Sequence, residues 1–213
     1  MHAQIGLNDA FTVAASGARI NLAAPDPAAI RLSDIADGLA QINRWAGATV
    51  PSPFTVAQHS CIVADEMYRA ADAMGGIYGL LHDGHEFVVG DIVVPTQRAL
   101  DHLMRNTVSS AIGILKDRLD DAIHRRFGLD WPPPAPIVKQ LALAHERVVI
   151  TEMKDLTRGR EPEIAALEAR GVQRLPTFIR ARTAPLAREA FLARFENFTT
   201  VLGLRRADQG GLL

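Results

Sequence analysis

Apolar residues recur at three- and four-residue intervals along most of this chain, and clusters of proline and glycine interrupt them; that pattern admits helices and little else. Val56, His59, Val63 and Met67 share one face of a helix that Thr55 is placed to cap, with Gly75-Gly76 closing the segment. Ser33-Asp34 suits the N-cap of an earlier helix running through Ile35, Leu39 and Ile42 to Trp45. Further helices are expected over about 77–89, over 98–127 as one helix or two, and over 137–155. Phe191, Phe195, Phe198 and Leu202 form the stripe of a last helix, read as core ahead of a dimer seam. Between these, Trp131-Pro132-Pro133-Pro134 is a rigid connector, because its ring-locked residues cannot continue a helix. Only the start differs: Phe11-Thr12-Val13 and Arg19-Ile20-Asn21-Leu22 flank Ser16-Gly17 as a short β-hairpin. The expected class is all-α, a helical bundle with an N-terminal hairpin. Residues 1–30 form an extension packed on the domain, 31–205 the helical domain, and 206–213 a frayed tail.

At 213 residues the chain can bury one sizeable core. Its formal charge of −1 leaves no broad basic surface, which argues against a nucleic-acid polymer as partner while allowing a small anionic substrate. The single cysteine, Cys61, excludes an intramolecular disulfide and fits a reducing compartment. It lies about 200° around the helix from His59, a position for packing rather than ligation. The start carries no basic, apolar leader pattern, and no run reaches the roughly 18 apolar residues of a membrane span, so a cytoplasmic location is expected.

Three features carry chemistry. His59 looks inward between Val56 and Val63, a place that a hydrogen-bonded core histidine would also suit. His82-Asp83 follows the apolar pair Leu80-Leu81, where a carboxylate is costly to bury unless a cation neutralises it. Imidazole and carboxylate together suit zinc, manganese, iron or cobalt. Glu86 comes four residues after His82 and three after Asp83, on the same helical face. A carboxylate beside a hydrated divalent ion is suited to general-base work.

The segments Phe54-Thr-Val-Ala-Gln-His59-Ser60 and Leu80-Leu-His82-Asp83-Gly-His-Glu86-Phe-Val-Val-Gly90-Asp91-Ile92 resemble those of the HD-domain phosphohydrolases. Upstream, Ile42-Asn43-Arg44-Trp45 resembles a segment of the bacterial 5′-deoxynucleotidase branch, and the likeness covers about residues 18–156. The resemblance implies one divalent ion (cobalt, manganese, magnesium, zinc or iron) held by His59, His82 and Asp83 inside a helical bundle. It implies catalytic roles for Glu86 and for Asp91 beside the sugar, and contacts from Arg44 to phosphate and Trp45 to the nucleoside. A guanidinium suits phosphate and an indole offers a stacking face, although Trp45 equally suits ordinary packing. His85 stands as a second phosphate contact or as a solvent-facing histidine. His102 and His124 have no place in the pattern, and Arg98 stands where the family often has a lysine. The resemblance implies hydrolysis of (deoxy)nucleoside 5′-monophosphates, and the related nucleotidases suggest a homodimer. Alternatives are a triphosphate, alarmone or phosphodiester hydrolase on the same scaffold, or a nucleotide-binding module without turnover.

One position departs from the family. Alignment on Ala144 and Thr151-Glu152 puts His145 where the family carries an aspartate as fourth ligand. His145 shares a face with Leu141, Val148 and Val149, and its neutral imidazole remains a competent ligand. Glu146, about 100° around the helix, is the rival, and an ion without a fourth protein ligand is the third alternative.

Overall fold

The computed structural model describes residues 10–104 and 107–204. Within them the chain is all-α with a two-stranded antiparallel hairpin at its start. Strands β1 (Phe11–Val13) and β2 (Arg19–Asn21) pair in the register Thr12 opposite Ile20. Asp34 does not cap the first helix, α1 (Leu32–Gln41), which begins ahead of it. Its carboxylate accepts instead from the amide and hydroxyl of Ser16 at 2.8 and 2.7 Å, tying the hairpin turn to α1. The first nine positions and the tail expected from 206 lie outside the described residues.

The centre of the bundle is α2 (Val56–Ala70), packed against α1, α3 (Ala73–Leu81), α7 (Ala135–Leu156) and α9 (Ala184–Leu202). Thr55 caps α2 as the sequence indicates, its hydroxyl accepting from the Gln58 amide. Gly75-Gly76 does not end this segment. The break comes at Ala71-Asp72, where the Asp72 side chain accepts from the amides of Met74 and Gly75 and so starts α3, with both glycines inside it. On α9, Phe191, Phe195 and Phe198 are buried in the main core and Leu202 is half-buried against it.

Four prolines mark helix starts rather than stops. Pro95, Pro136, Pro162 and Pro185 each occupy the second position of a helix: α5 (Val94–Leu103), α7, α8 (Glu161–Ala169) and α9. There the missing N–H has no intrahelical partner to lose. Helix α8 falls in a stretch to which the sequence pattern assigned no element. The region 98–127 resolves into two helices, α5 and α6 (Val108–Arg126).

The expected helix over 77–89 is also two pieces. Helix α3 stops at Leu81, four residues turn, and the short α4 (Glu86–Val89) follows. The turn runs on three-residue hydrogen bonds, from Gly84 N to Leu81 O at 2.8 Å and from Glu86 N to Asp83 O at 3.0 Å. A Cβ on Gly84 would stand 2.8 Å from the Leu81 carbonyl oxygen, so this tightening requires glycine. Helix α1 then supports α4 from below: a Cβ on Gly38 would meet the Phe87 carbonyl oxygen at 2.9 Å and its Cα at 3.0 Å.

These contacts make Gly38→Ala informative. Alanine gains about 1 kcal/mol of helix propensity at an interior position. Against that, the clash is with backbone that no rotamer change relieves, and overpacking of this kind costs about 1–3 kcal/mol. A net loss of stability is expected, read as a lower urea midpoint. A midpoint equal to or above that of the parent would show that α1 and α4 are not in this close contact.

Candidate metal centre

His59 on α2, His82 and Asp83 in the turn after α3, and His145 on α7 converge. One ligand atom from each lies within 4.8 Å of all the others. The three rings stand edge to face or tilted, with centroids 5.1 to 5.4 Å apart. His145, and not Glu146, faces this point; Glu146 is ion-paired with Arg170. Cys61 is buried elsewhere, His102 and Arg98 are exposed, and His124 packs between Tyr78 and Trp131.

The hydrogen bonds around the cluster fix what its nitrogens present. His59 Nδ1 lies 2.5 Å from Oε1 of Glu152. Glu152 is fully buried, and Arg44 and His59 outweigh its burial to hold its carboxyl down at about 2. An ionised carboxylate only accepts, so His59 carries its proton on Nδ1 and turns a lone pair on Nε2 toward the cluster. His82 donates from Nδ1 to the Gly79 carbonyl at 2.8 Å and likewise turns Nε2 inward. The two Nε2 atoms are 3.2 Å apart, and Oδ2 of Asp83 lies 3.1 Å from one and 3.5 Å from the other. Lone pairs and a carboxylate so close require positive charge among them. The protonation equilibria express the same demand. Burial lowers the pKa of His82, yet Asp83 draws it above its ordinary value; burial alone would raise Asp83, yet His82, His59 and Arg44 hold it well below the carboxylate range. Burial also pushes His145 down to about 3 and lowers His59, keeping both rings neutral and free to ligate. The donor set therefore fits a divalent cation, with the Glu152 carboxylate behind His59 and the Gly79 carbonyl behind His82 as orienting partners.

Glu86 and His85 border the cluster; with Asp83 they form a second group whose ligand atoms also lie within 4.8 Å of one another. The helical-face argument for Glu86 fails because the helix is broken, but the three-residue turn returns it beside Asp83. Burial, together with the charges of Asp83 and Asp91, pushes its carboxyl up to about 9. Asp91 is raised too, mainly by burial, and its charge acts on both Glu86 and Arg44. His85 is not solvent-facing: it is 5% exposed, and its Nδ1 lies 2.9 Å from Asp120 Oδ1. Among the described residues, Oε2 of Glu86 and Nε2 of His85 are buried without a hydrogen-bond partner, which is costly unless a ligand supplies one.

Arg44 and Trp45 lie on a single 3-10 turn, Arg44–Gly47, not on the end of α1. The Arg44 guanidinium is engaged, with Nε 3.2 Å from Glu152 Oε2 and Nη1 3.5 Å from Asp83 Oδ2. Trp45 donates from Nε1 to the same Glu152 oxygen at 3.0 Å, and Arg160 lies 5.4 Å from its ring centroid. Trp45 and Ala46 hold φ values of 59° and 50°, a strained left-handed pair that surrounding contacts must impose. Glu152, Asp120 and Arg160 are the site residues that the sequence pattern did not identify. Glu152 had a signal: it lies two helical turns after His145, on the same buried stripe as Val148.

Replacing Glu152 with Gln should weaken divalent-ion affinity about 10- to 100-fold, the usual effect of losing an orienting partner; cobalt titration followed by its visible absorption checks this. Because a proton on His82 competes with the ion, affinity should fall about tenfold per pH unit below the raised pKa of that ring and level off above it. A flat profile from pH 5 to 8 would remove His82 from the ligand set.

No family model matches the chain. An uncharacterized protein of Rhodobacter capsulatus is 34% identical to it over 185 residues, an alignment that takes in 84% of this chain and 90% of the relative. With identity at that level across nearly the whole of both sequences, the chain belongs to the same family as this Rhodobacter capsulatus protein.

Proposed function

We propose that the protein is a metal-dependent phosphohydrolase of the HD-domain type that cleaves (deoxy)nucleoside 5′-monophosphates to nucleoside and inorganic phosphate. The observation that carries this reading is the pair of imidazole nitrogens from His59 and His82, turned toward each other beside Asp83 and bordered by a buried, partnerless Glu86 oxygen. In this reading His59, His82, Asp83 and His145 hold the ion. A divalent ion so held supplies Lewis acidity toward a phosphoryl oxygen and brings the pKa of water from about 16 toward neutrality.

The protein's own groups account for the rest. Glu86 orients the attacking water and accepts its proton through Oε2; its ionised form is favoured once the charge on Asp83 is neutralised. His85, fixed by Asp120, offers Nε2 to a phosphate oxygen. Arg44 reaches the phosphate by exchanging its contact with Asp83 while Glu152 keeps it in place. Asp91 and the edge of Trp45 are assigned to the nucleoside. Among the described residues no helix is long and apolar enough to cross a membrane.

A panel of nucleoside mono-, di- and triphosphates and a phosphodiester, assayed for released phosphate and pyrophosphate, tests the reaction class. Phosphate release from monophosphates is expected, and pyrophosphate release would replace the reading with a triphosphate hydrolase. Glu86→Gln should lower turnover about 10²- to 10⁴-fold at unchanged metal content. Parent-like rates in that variant would exclude Glu86 as the base.

A further inference from the structure

On the side of α2 away from the metal cluster lies a cavity of about 460 Å³, bounded by α2, α9 and the extended segment 175–182. Its lining is unlike the rest of the molecule. The whole chain has 23 basic and 24 acidic side chains, but four arginines and one aspartate line this cavity. The aspartate, Asp65, is already neutralised by Arg194, whose Nε and Nη2 reach its two oxygens at 2.8 and 2.7 Å. Arg69 is paired with Glu66 at 2.8 Å. Arg180 and Arg182 are exposed and, among the described residues, have no acidic partner. Phe178 lines the same cavity and is 61% exposed, an unusual place for a phenylalanine.

The segment that carries these three residues is held by side chains of two helices. Gln58 donates from Nε2 to the Arg180 carbonyl at 2.7 Å and accepts the Arg182 amide at 2.8 Å. Thr151 accepts the Leu175 amide and Asp155 the Ile179 amide, both at 2.8 Å. Leu175 and Ile179 are buried, which leaves Phe178, Arg180 and Arg182 directed outward from a fixed backbone. Two uncompensated guanidiniums and a bare aromatic ring on one rigid segment match a ligand that is anionic at one end and planar at the other. A second cavity of about 410 Å³ shares Ala181 and Arg182 with the first, so the concave surface continues past Arg182. Each volume is in the range of small-molecule sites.

We infer that this cavity is a second ligand site, separate from the metal centre, which binds a free nucleotide: Arg180 and Arg182 hold its phosphates and Phe178 stacks on its base. The site is independent of the hydrolytic reading and involves no chemical step.

The test follows ADP by calorimetry and by amide hydrogen exchange, using inorganic phosphate and adenosine as partial ligands. ADP is expected to slow exchange across residues 175–183. In the double variant R180A/R182A that protection should vanish and the affinity assigned to this site should fall roughly 100-fold, about tenfold for each charged contact. Phe178→Ala should weaken ADP while leaving inorganic phosphate unaffected. All three side chains are exposed, so a thermal melt like that of the parent is expected to establish that the variants fold. Protection by ADP confined to residues 82–91, or protection at 175–183 that survives the double variant, would overturn the proposal. So would the absence of ADP binding at millimolar concentration. Adenosine binding as tightly as ADP would overturn the phosphate-binding role of the arginines. None of these results depends on whether the metal centre is hydrolytic.

Discussion

One fully buried carboxylate sets the geometry of the cluster of His59, His82, Asp83 and His145. Glu152, on α7, accepts from His59 on α2 and from both Arg44 and Trp45 on the turn after α1. An ionised group in such a place is tolerated only with its lone pairs filled, and these three donors fill them. Each donor is constrained in return. His59 is fixed in one tautomer, Arg44 is kept at the rim of the cluster, and Trp45 is held in a backbone conformation that it would otherwise leave. Removing the carboxylate would leave a guanidinium with half its compensation and a histidine free to turn.

The same residue bears on the substitution that separates this chain from the pattern it resembles. A histidine at position 145 in place of an aspartate takes one negative charge from the ligand set. Glu152 restores part of it from behind, since a carboxylate bonded to Nδ1 makes the opposite nitrogen of His59 a stronger donor. The Arg44 guanidinium draws down the carboxyls of Asp83, Glu86, Asp91 and Glu152 alike, and Lys116 acts in the same direction on Glu86 and Asp91. Burial together with Asp83 and Asp91 keeps Glu86 protonated in the absence of further positive charge, so the site as a whole remains short of cation rather than of anion.

The convergence of His59, His82, Asp83 and His145 was legible because each lies on an apolar stripe or beside an apolar run. A polar side chain facing a core has to find a partner there. The local path between them was less legible. Helical periodicity continues through residues 82–85, and only the crowding at Gly84 shows that the chain tightens instead. Pro95, Pro136, Pro162 and Pro185 are second residues of helices, and the sequence alone does not say on which side of a proline the helix lies. Asp120, which orients His85, is 35 positions away on α6, and no local pattern links the two. Arg44 was assigned to phosphate by the resemblance, with the fit of a guanidinium to phosphate in support; its pairing with Glu152 spans 108 positions and depends on how α7 packs.

That packing is fixed on two sides. Inside the bundle, the bond from His59 to Glu152 joins α2 to α7. Outside it, the segment 175–182 joins the same two helices through Gln58, the neighbour of His59, and through Thr151 and Asp155, which flank Glu152. This segment has no sheet to satisfy its amides and carbonyls, so side chains of the helices do so, and its place is determined by their spacing. The reverse also holds. A backbone hydrogen-bonded to both helices resists any change in their separation, and the 2.5 Å contact behind His59 is sensitive to such a change. The extended segment thus acts as an external brace on the histidine–aspartate cluster, although none of its own residues belongs to that cluster.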